Sequence, residues 1–283
     1  MIQVENLRFR YHKGADDVLK GLSFTIPKGE IFGFLGPSGA GKSTAQKILY
    51  KILKGYTGAI KVNGKDLQAW GKEYHEMIGV GFELPNHYQK LTGRENLTFF
   101  MSFYARKGHY HMEELFEMVG LKHAMNDAVE TYSKGMKMRL NFIRAIQHDP
   151  QILFFDEPTS GLDPINAHTI KQLILDLKKQ GKTIFITTHH MDTADQLCDQ
   201  VSFIVNGALK VTDQPERLKK AYGKPIVKVQ LEEGASEEFP LPGIGFDQGF
   251  VQCLQRGEVR SIQTQEASLE EVFIALTGES LKQ

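Results

Sequence analysis

The residues Gly36-Pro37-Ser38-Gly39-Ala40-Gly41-Lys42-Ser43 constrain this 283-residue chain more than any other stretch. Two glycines five apart, followed by a lysine and a hydroxyl residue, stand between the apolar run EIFGFL and a segment with Ala45, Ile48, Leu49, Ile52 and Leu53 at helical spacing. That order predicts a buried strand, a glycine-rich loop and an amphipathic helix in direct succession. Glycines in such a loop permit a backbone path that aims successive N–H groups inward at phosphate oxygens. Lys42 balances charge on the β- and γ-phosphates, and the Ser43 hydroxyl is suited to ligate Mg²⁺. Thr44 belongs to the same helix start. A purely structural glycine turn seldom falls in this context.

A nucleoside triphosphate needs a second metal contact and a group that positions water. ILFFDEP, Ile152 to Pro158, supplies an apolar strand ending in two carboxylates. Asp156 is then the acid of the metal shell, and Glu157 the base or orienter for attacking water. Acidic pairs are common on solvated surfaces, but these two end a buried strand in a chain with a phosphate loop.

Composition narrows the setting. Lys plus Arg and Asp plus Glu both number 34, so net charge gives no argument for a nucleic-acid partner, and none is expected. Hydrophobic residues make up 41% of the chain, enough for a real core. Cys198 and Cys253 lack metal-ligand spacing, which fits a reducing, cytoplasmic setting. MIQVENLRFR has no signal-peptide core, and no stretch approaches the roughly eighteen apolar residues of a membrane span. Any membrane role is expected to be borrowed from a partner.

Periodicity orders the rest. Ile2, Val4, Leu7 and Phe9, then Val18, Leu22, Phe24 and Ile26, read as a half-exposed antiparallel sheet. Val62-Asn63-Gly64 reads as a hairpin turn, IGVGF as a further strand, and TIFIT as another. From about 86 to 149 the pattern is helical, opening on Thr92 and Glu95 spaced as a capping box. Asp163 caps a later helix with Pro164 at its first position, and VSFIVNGALKV closes the region as an Asn-Gly hairpin. Beyond about Gln214 we expect a short helix, a strand VKVQL, a loop with Pro240 and Pro242, a strand FVQCLQ and a capped helix SLEEVFIALTG.

One stretch, VETYSKGMKMRLNFIRAI, puts Ser133, Lys134 and Gly135 just ahead of a helical pattern. A helix start presents unpaired N–H groups and partial positive charge, which suits an anion; the plainer reading is that Ser133 only caps the helix.

Together these motifs resemble the nucleotide-binding subunit of ATP-binding-cassette (ABC) transporters over about residues 1–215. The resemblance implies an α/β phosphate-loop NTPase fold, to which the residue pattern adds an antiparallel β subdomain, the helical insert at 86–149, and a small C-terminal α+β accessory domain at 216–283. Tyr132-Ser133-Lys134-Gly135-Met136 is similar to the family's LSGGQ-type loop, departing at Tyr132, Lys134 and Met136. By that resemblance Ser133, Lys134 and Gly135 contact the γ-phosphate of ATP held by a second copy. Asp163, in Ser160-Gly161-Leu162-Asp163, lies on the loop that crosses the dimer interface. His189 is the γ-phosphate switch, with His190 one place too late. Tyr11 matches the aromatic on which adenine stacks, Phe9 being the alternative packed neighbour. Glu83 stands where the family usually has glutamine; it can ligate Mg²⁺ but cannot donate as an amide does. Gln89 does not substitute.

The tail SLEEVFIALTG, Glu83 and YSKGM look like the ATPase subunits of ABC-2-type exporters. The resemblance therefore implies ATP and Mg²⁺ as cofactors, a homodimer or paired ATPase subunit, a multi-span permease, and a place on the inner face of the cell membrane. Leu97, Phe99, Phe100, Phe103 and Tyr104 offer a groove to a short partner helix, or pack inside the insert. Two rivals stand beside this: a soluble ABC ATPase acting on ribosome or nucleic acid, and a regulatory cassette without hydrolysis.

Overall fold

The structure, a computed structural model, describes residues 1–12, 14–105, 108–232, 234–256 and 259–278. The first strand, β1 (Ile2–Phe9), buries Ile2 and Val4, then Leu7 and Phe9. The change of parity between Val4 and Leu7 is a bulge at which Asn6 takes φ 48°. One extra residue there flips every following side chain, which keeps both halves of the strand facing the core. β1 pairs antiparallel with β2 (Leu19–Ile26).

β3 (Ile31–Leu35) is buried on both faces, as an interior parallel strand is, and leads through the glycine loop into α1 (Lys42–Leu49). This helix is shorter than its periodicity suggests. Lys51 takes a left-handed φ of 65°, which turns the chain after Tyr50, so Ile52 is exposed while Leu53 folds back onto the core. β4 (Thr57–Val62) pairs with the other side of β1 and turns into β5 (Lys65–Asp66) through Asn63 and Gly64. Both turn residues have positive φ, the type I′ geometry expected of Asn-Gly.

After α2 (Glu73–Met77), β6 (Ile78–Gly81) enters the second sheet. The helical stretch follows with α3 (Gly93–Met101), α4 (Met112–Met118) and α5 (Lys134–Ile146); Thr92 and Glu95 do form a capping box. The chain then completes β7 (Ile152–Asp156), α6 (Pro164–Lys179), β8 (Thr183–Thr188), α7 (Met191–Leu197), β9 (Gln200–Val205) and β10 (Ala208–Asp213). The six-stranded sheet runs β10-β9-β3-β8-β7-β6, with β6, β7, β8, β3 and β9 paired in parallel. The antiparallel sheet runs β2-β1-β4-β5. Phe24, Phe34 and Phe185 knit the two together, with ring centroids 4.8 and 4.9 Å apart around Phe34. Parallel pairing puts the ends of β3, β7 and β8 at one edge, where loops carry chemistry.

The chain divides into two compact units, Met1–Thr212 and Asp213–Gln283. The second holds α8 (Pro215–Tyr222), β11 (Ile226–Leu231), β12 (Ser236–Pro240), α9 (Gln248–Gln255), β13 (Val259–Gln265) and α10 (Leu269–Thr277). Its sheet is β12-β11-β13, antiparallel, over a core of Val227, Val229, Leu231 and Cys253. Two expectations are corrected here. FVQCLQ is helical, because Asp247 caps the Phe250 N–H at 2.9 Å and Phe250, Cys253 and Leu254 share one inward face. The segment containing Pro240 is an edge strand, where a residue without an N–H is tolerated. The final helix has the predicted Ser268–Glu271 capping box and ends on Gly278 at φ 68°. Among the described residues, no helix is long and apolar enough to cross a membrane.

Candidate active site

The glycine loop is bent around its lysine. Lys42 Nζ donates to the carbonyls of Gly36 and Pro37 at 2.6 and 3.0 Å and is largely buried. Burial depresses the ammonium pKa, while the carboxylates of Glu157, Asp156 and Glu83 oppose that shift. A side chain at Gly36 would bring a Cβ within 2.1 Å of the Ile204 carbonyl, so the loop passes β9 backbone to backbone. Gly41, the N-cap of α1, sits at φ 106°, a conformation costly to any residue with a Cβ. Gly39 also has positive φ, and Ala40 is buried beside it. Successive α1 hydroxyls then face two different neighbours. Ser43 Oγ is 3.4 Å from Asp156 Oδ1, and Thr44 Oγ1 is 3.0 Å from the Tyr11 hydroxyl. Tyr11 is half exposed and stands edge-on to the buried Phe9 at 5.0 Å, so Phe9 is the packed neighbour and Tyr11 the ring open to solvent.

β7 and β8 pair in register, Asp156 opposite Thr187. The Thr187 hydroxyl donates to Asp156 Oδ1 in a short contact. Burial raises the Asp156 pKa, against the lowering by the Thr187 and Ser43 hydrogen bonds. The next residue, Glu157, is 5% exposed and adopts φ 49°, a left-handed conformation rare for glutamate. Both its oxygens are held. Thr188 Oγ1 donates to Oε2 at 2.9 Å, while the His189 N–H at 2.9 Å and the His189 ring Nδ1 at 2.6 Å meet Oε1. From this conformation the carboxylate reaches Thr188, the last residue of β8, and His189 just beyond it. His190 packs its ring 4.0 Å from that of His189; burial and then His189 lower its pKa.

Ser43, Asp156 and Glu83 each offer oxygen as a donor atom. Asp156 is directly bonded to Ser43, and Glu83 is close enough to act on Lys42, a chemistry that fits a hard cation such as Mg²⁺. Glu83 itself is exposed.

The LSGGQ-like segment lies at the start of α5. Ser133 caps α5, its Oγ accepting the Met136 N–H at 3.2 Å, and Ser133 and Lys134 are exposed. A Cβ at Gly161 would lie 2.9 Å from Lys134 Cε, and one at Gly135 would lie 3.5 Å from Leu162 Cδ2, so this loop and the Ser160–Asp163 loop adjoin. Asp163 accepts the Ile165 and Asn166 N–H groups and the Asn166 amide, and these bonds lower its pKa.

Several residues near the site carried no reading in the sequence. Thr187 and Thr188 have only the polar TTHH run that ends an apolar strand as a signal. Asn141 Nδ2 donates to the Phe82 carbonyl at 2.8 Å, and Arg144 joins Asn141 Oδ1 at 2.6 Å to the Asn86 carbonyl at 3.0 Å. These polar side chains sit on the buried face of α5, where polarity itself was the available cue. Arg144 also lies over Phe100, 4.6 Å from its ring, in a cavity of about 520 Å³ lined by Phe82, Tyr88, Phe100 and Tyr104 among others. Of the apolar residues expected to form a groove, Leu97 is buried while Phe99 and Phe103 are exposed and edge-packed at 5.0 Å.

A glycine loop gripping its lysine, a serine bonded to the first strand-end acid, and a second acid held by a histidine define a phosphate-loop ATPase cassette. The chain belongs to the ABC transporter family: the family's model matches residues 19–160. It is an ATP-binding protein that hydrolyses ATP. It is 50% identical over 285 residues to the fluoroquinolones export ATP-binding protein of Mycobacterium tuberculosis, covering 99% of this chain and 94% of that one. The linearmycin resistance ATP-binding protein of Bacillus subtilis is 30% identical over the whole of both chains. Among solved structures, a dimeric ATP-binding cassette in a post-hydrolysis state with ADP and Pi superposes with a TM-score of 0.68 at 26% identity, covering 76% of this chain and 98% of that one.

Proposed function

We propose that this chain is the ATPase subunit of an exporter, working as a dimer that encloses two ATP–Mg²⁺ and drives a separate membrane-spanning permease from the inner face of the cell membrane. The position of Glu157 carries the catalytic reading: a buried carboxylate, held at both oxygens, beside the Asp156–Ser43 pair.

In this reading Gly36–Thr44 wraps the triphosphate, with Lys42 exchanging its loop carbonyls for phosphate oxygens, and Tyr11 stacks on adenine. Ser43, Asp156 and Glu83 hold Mg²⁺, which when bound neutralises charge on the β- and γ-phosphate oxygens. Glu157 accepts the proton of the attacking water, and His189 both orients that carboxylate and contacts the γ-phosphate. Ser133, Lys134, Gly135 and Asp163 of a second copy close the site. The exposure of Ser133 and Lys134, together with the similarity to a dimeric cassette, supports that closure. ATP bridging the two halves favours the closed dimer, and hydrolysis removes the bridge.

The export role draws on the relatives' names, and the aromatic cavity beside Arg144 is the surface suited to a permease helix. The test is ATP turnover in Glu157→Gln, expected to fall by about 100-fold or more with nucleotide binding retained. Sedimentation of that variant with ATP is expected to give a dimer. Turnover at the wild-type rate removes Glu157 as base, and a monomer under saturating ATP–Mg²⁺ removes the shared site.

A further inference from the structure

We propose that Glu157, His189 and His190 form a site for a borderline transition-metal dication of the zinc class, separate from the all-oxygen magnesium position, and that filling it removes Glu157 from ATP hydrolysis. One ligand atom of each residue lies within 4.8 Å of the other two. Two imidazoles and a carboxylate suit zinc, cobalt or nickel, whereas magnesium takes oxygen ligands and keeps its waters. Three protein ligands leave a fourth position open.

The donors are set up by their backbone. His189 and His190 follow the end of β8, and the His190 N–H donates to Thr188 Oγ1 at 3.0 Å, the same hydroxyl that holds Glu157 Oε2. Glu157 therefore has its supporting partners in place before any ion arrives, as metal-ligating carboxylates do. Ligands at zinc distances of about 2.1 Å lie roughly 3.4 Å apart in a tetrahedron. The present spread closes to that by rotation of the His190 ring, which belongs to an exposed residue. The ion then replaces the 2.6 Å contact between His189 Nδ1 and Glu157 Oε1, so the carboxylate is ligated and no longer a base. This inhibitory consequence rests on the role proposed for Glu157; the site itself does not.

The test is titration of the full nucleotide-free chain with zinc by calorimetry, and with cobalt by visible absorption, in wild type and His190→Ala. Wild type is expected to show saturable binding, and His190→Ala binding weaker by at least about tenfold, the loss that even an outer-shell partner brings. His190→Ala is also expected to keep wild-type turnover in magnesium with chelator present and to lose zinc inhibition. Equal zinc affinity in the two chains, or no saturable binding, overturns the site. Discriminating zinc binding that leaves ATP turnover unchanged upholds the site and overturns the role proposed for Glu157 instead.

Discussion

The side-chain amide of Asn141, on α5, holds the main-chain carbonyl of Phe82 at 2.8 Å, one residue before Glu83. The same Asn141 accepts from Arg144, so the cavity that contains Arg144 and the carboxylate near Lys42 are joined by two consecutive hydrogen bonds. Asn141→Ala leaves the half-buried Phe82 carbonyl and the buried Arg144 guanidinium each short of a partner, a loss of about 1–3 kcal/mol in urea denaturation. The expected enzymatic effect is a higher magnesium requirement for turnover with a smaller change in maximal rate, read from magnesium titrations.

Ser133 has a local task as cap of α5 and a proposed one across the dimer, and the two separate by substitution. Aspartate caps a helix as well as serine does, so Ser133→Asp is expected to keep thermal stability within about 0.5 kcal/mol. Its charge opposes a γ-phosphate, so ATP-dependent dimerisation and turnover are expected to fall by about tenfold or more. Unchanged turnover would reduce Ser133 to a cap.

Gly36→Ala forces a methyl against the Ile204 carbonyl, a backbone atom that no rotamer change moves aside. The expected cost is about 1–3 kcal/mol in stability, with weaker ATP binding measured by calorimetry. Gly39→Ala meets no neighbour within 4 Å and is expected to show backbone strain alone, and hence the smaller loss.

His87 predicts the acid limb of stability. Burial, then the nearby Arg144, lowers its pKa from 6.5 to about 4, while its Nε2–H is held by the Lys137 carbonyl. The folded state thus favours the neutral ring. Its stabilisation is complete above pH 6.5 and is lost as pH falls toward about 4, because the unfolded chain binds the proton first. The loss is at most about 3 kcal/mol. In His87→Gln, whose amide also donates, the fall across that window is expected to shrink, as measured by denaturation at stepped pH.

Much of the fold and of the candidate site is legible in the sequence. Gly36–Ser43, ILFFDEP and the caps at Thr92, Asp163 and Ser268 are patterns whose physics is local, so they appear in the sequence as spacing. FVQCLQ was not readable, because six residues satisfy both a two-residue and a helical period, and only the Asp247 cap decides. β13 gives little signal in the sequence, because its side chains are mostly exposed and VRSIQTQ carries little alternation. The end of α1 depends on Lys51 at φ 65°, and lysine gives no warning of that conformation. Around the candidate site, Thr188, Asn141 and Arg144 act through partners distant in the chain, and proximity of that kind leaves no mark on spacing.

The pairing of β7 with β8, residue for residue up to Asp156 and Thr187, puts both acids and the histidine that grips the second on a single stiff ledge. A slip of one residue between these two strands would therefore displace all three groups together.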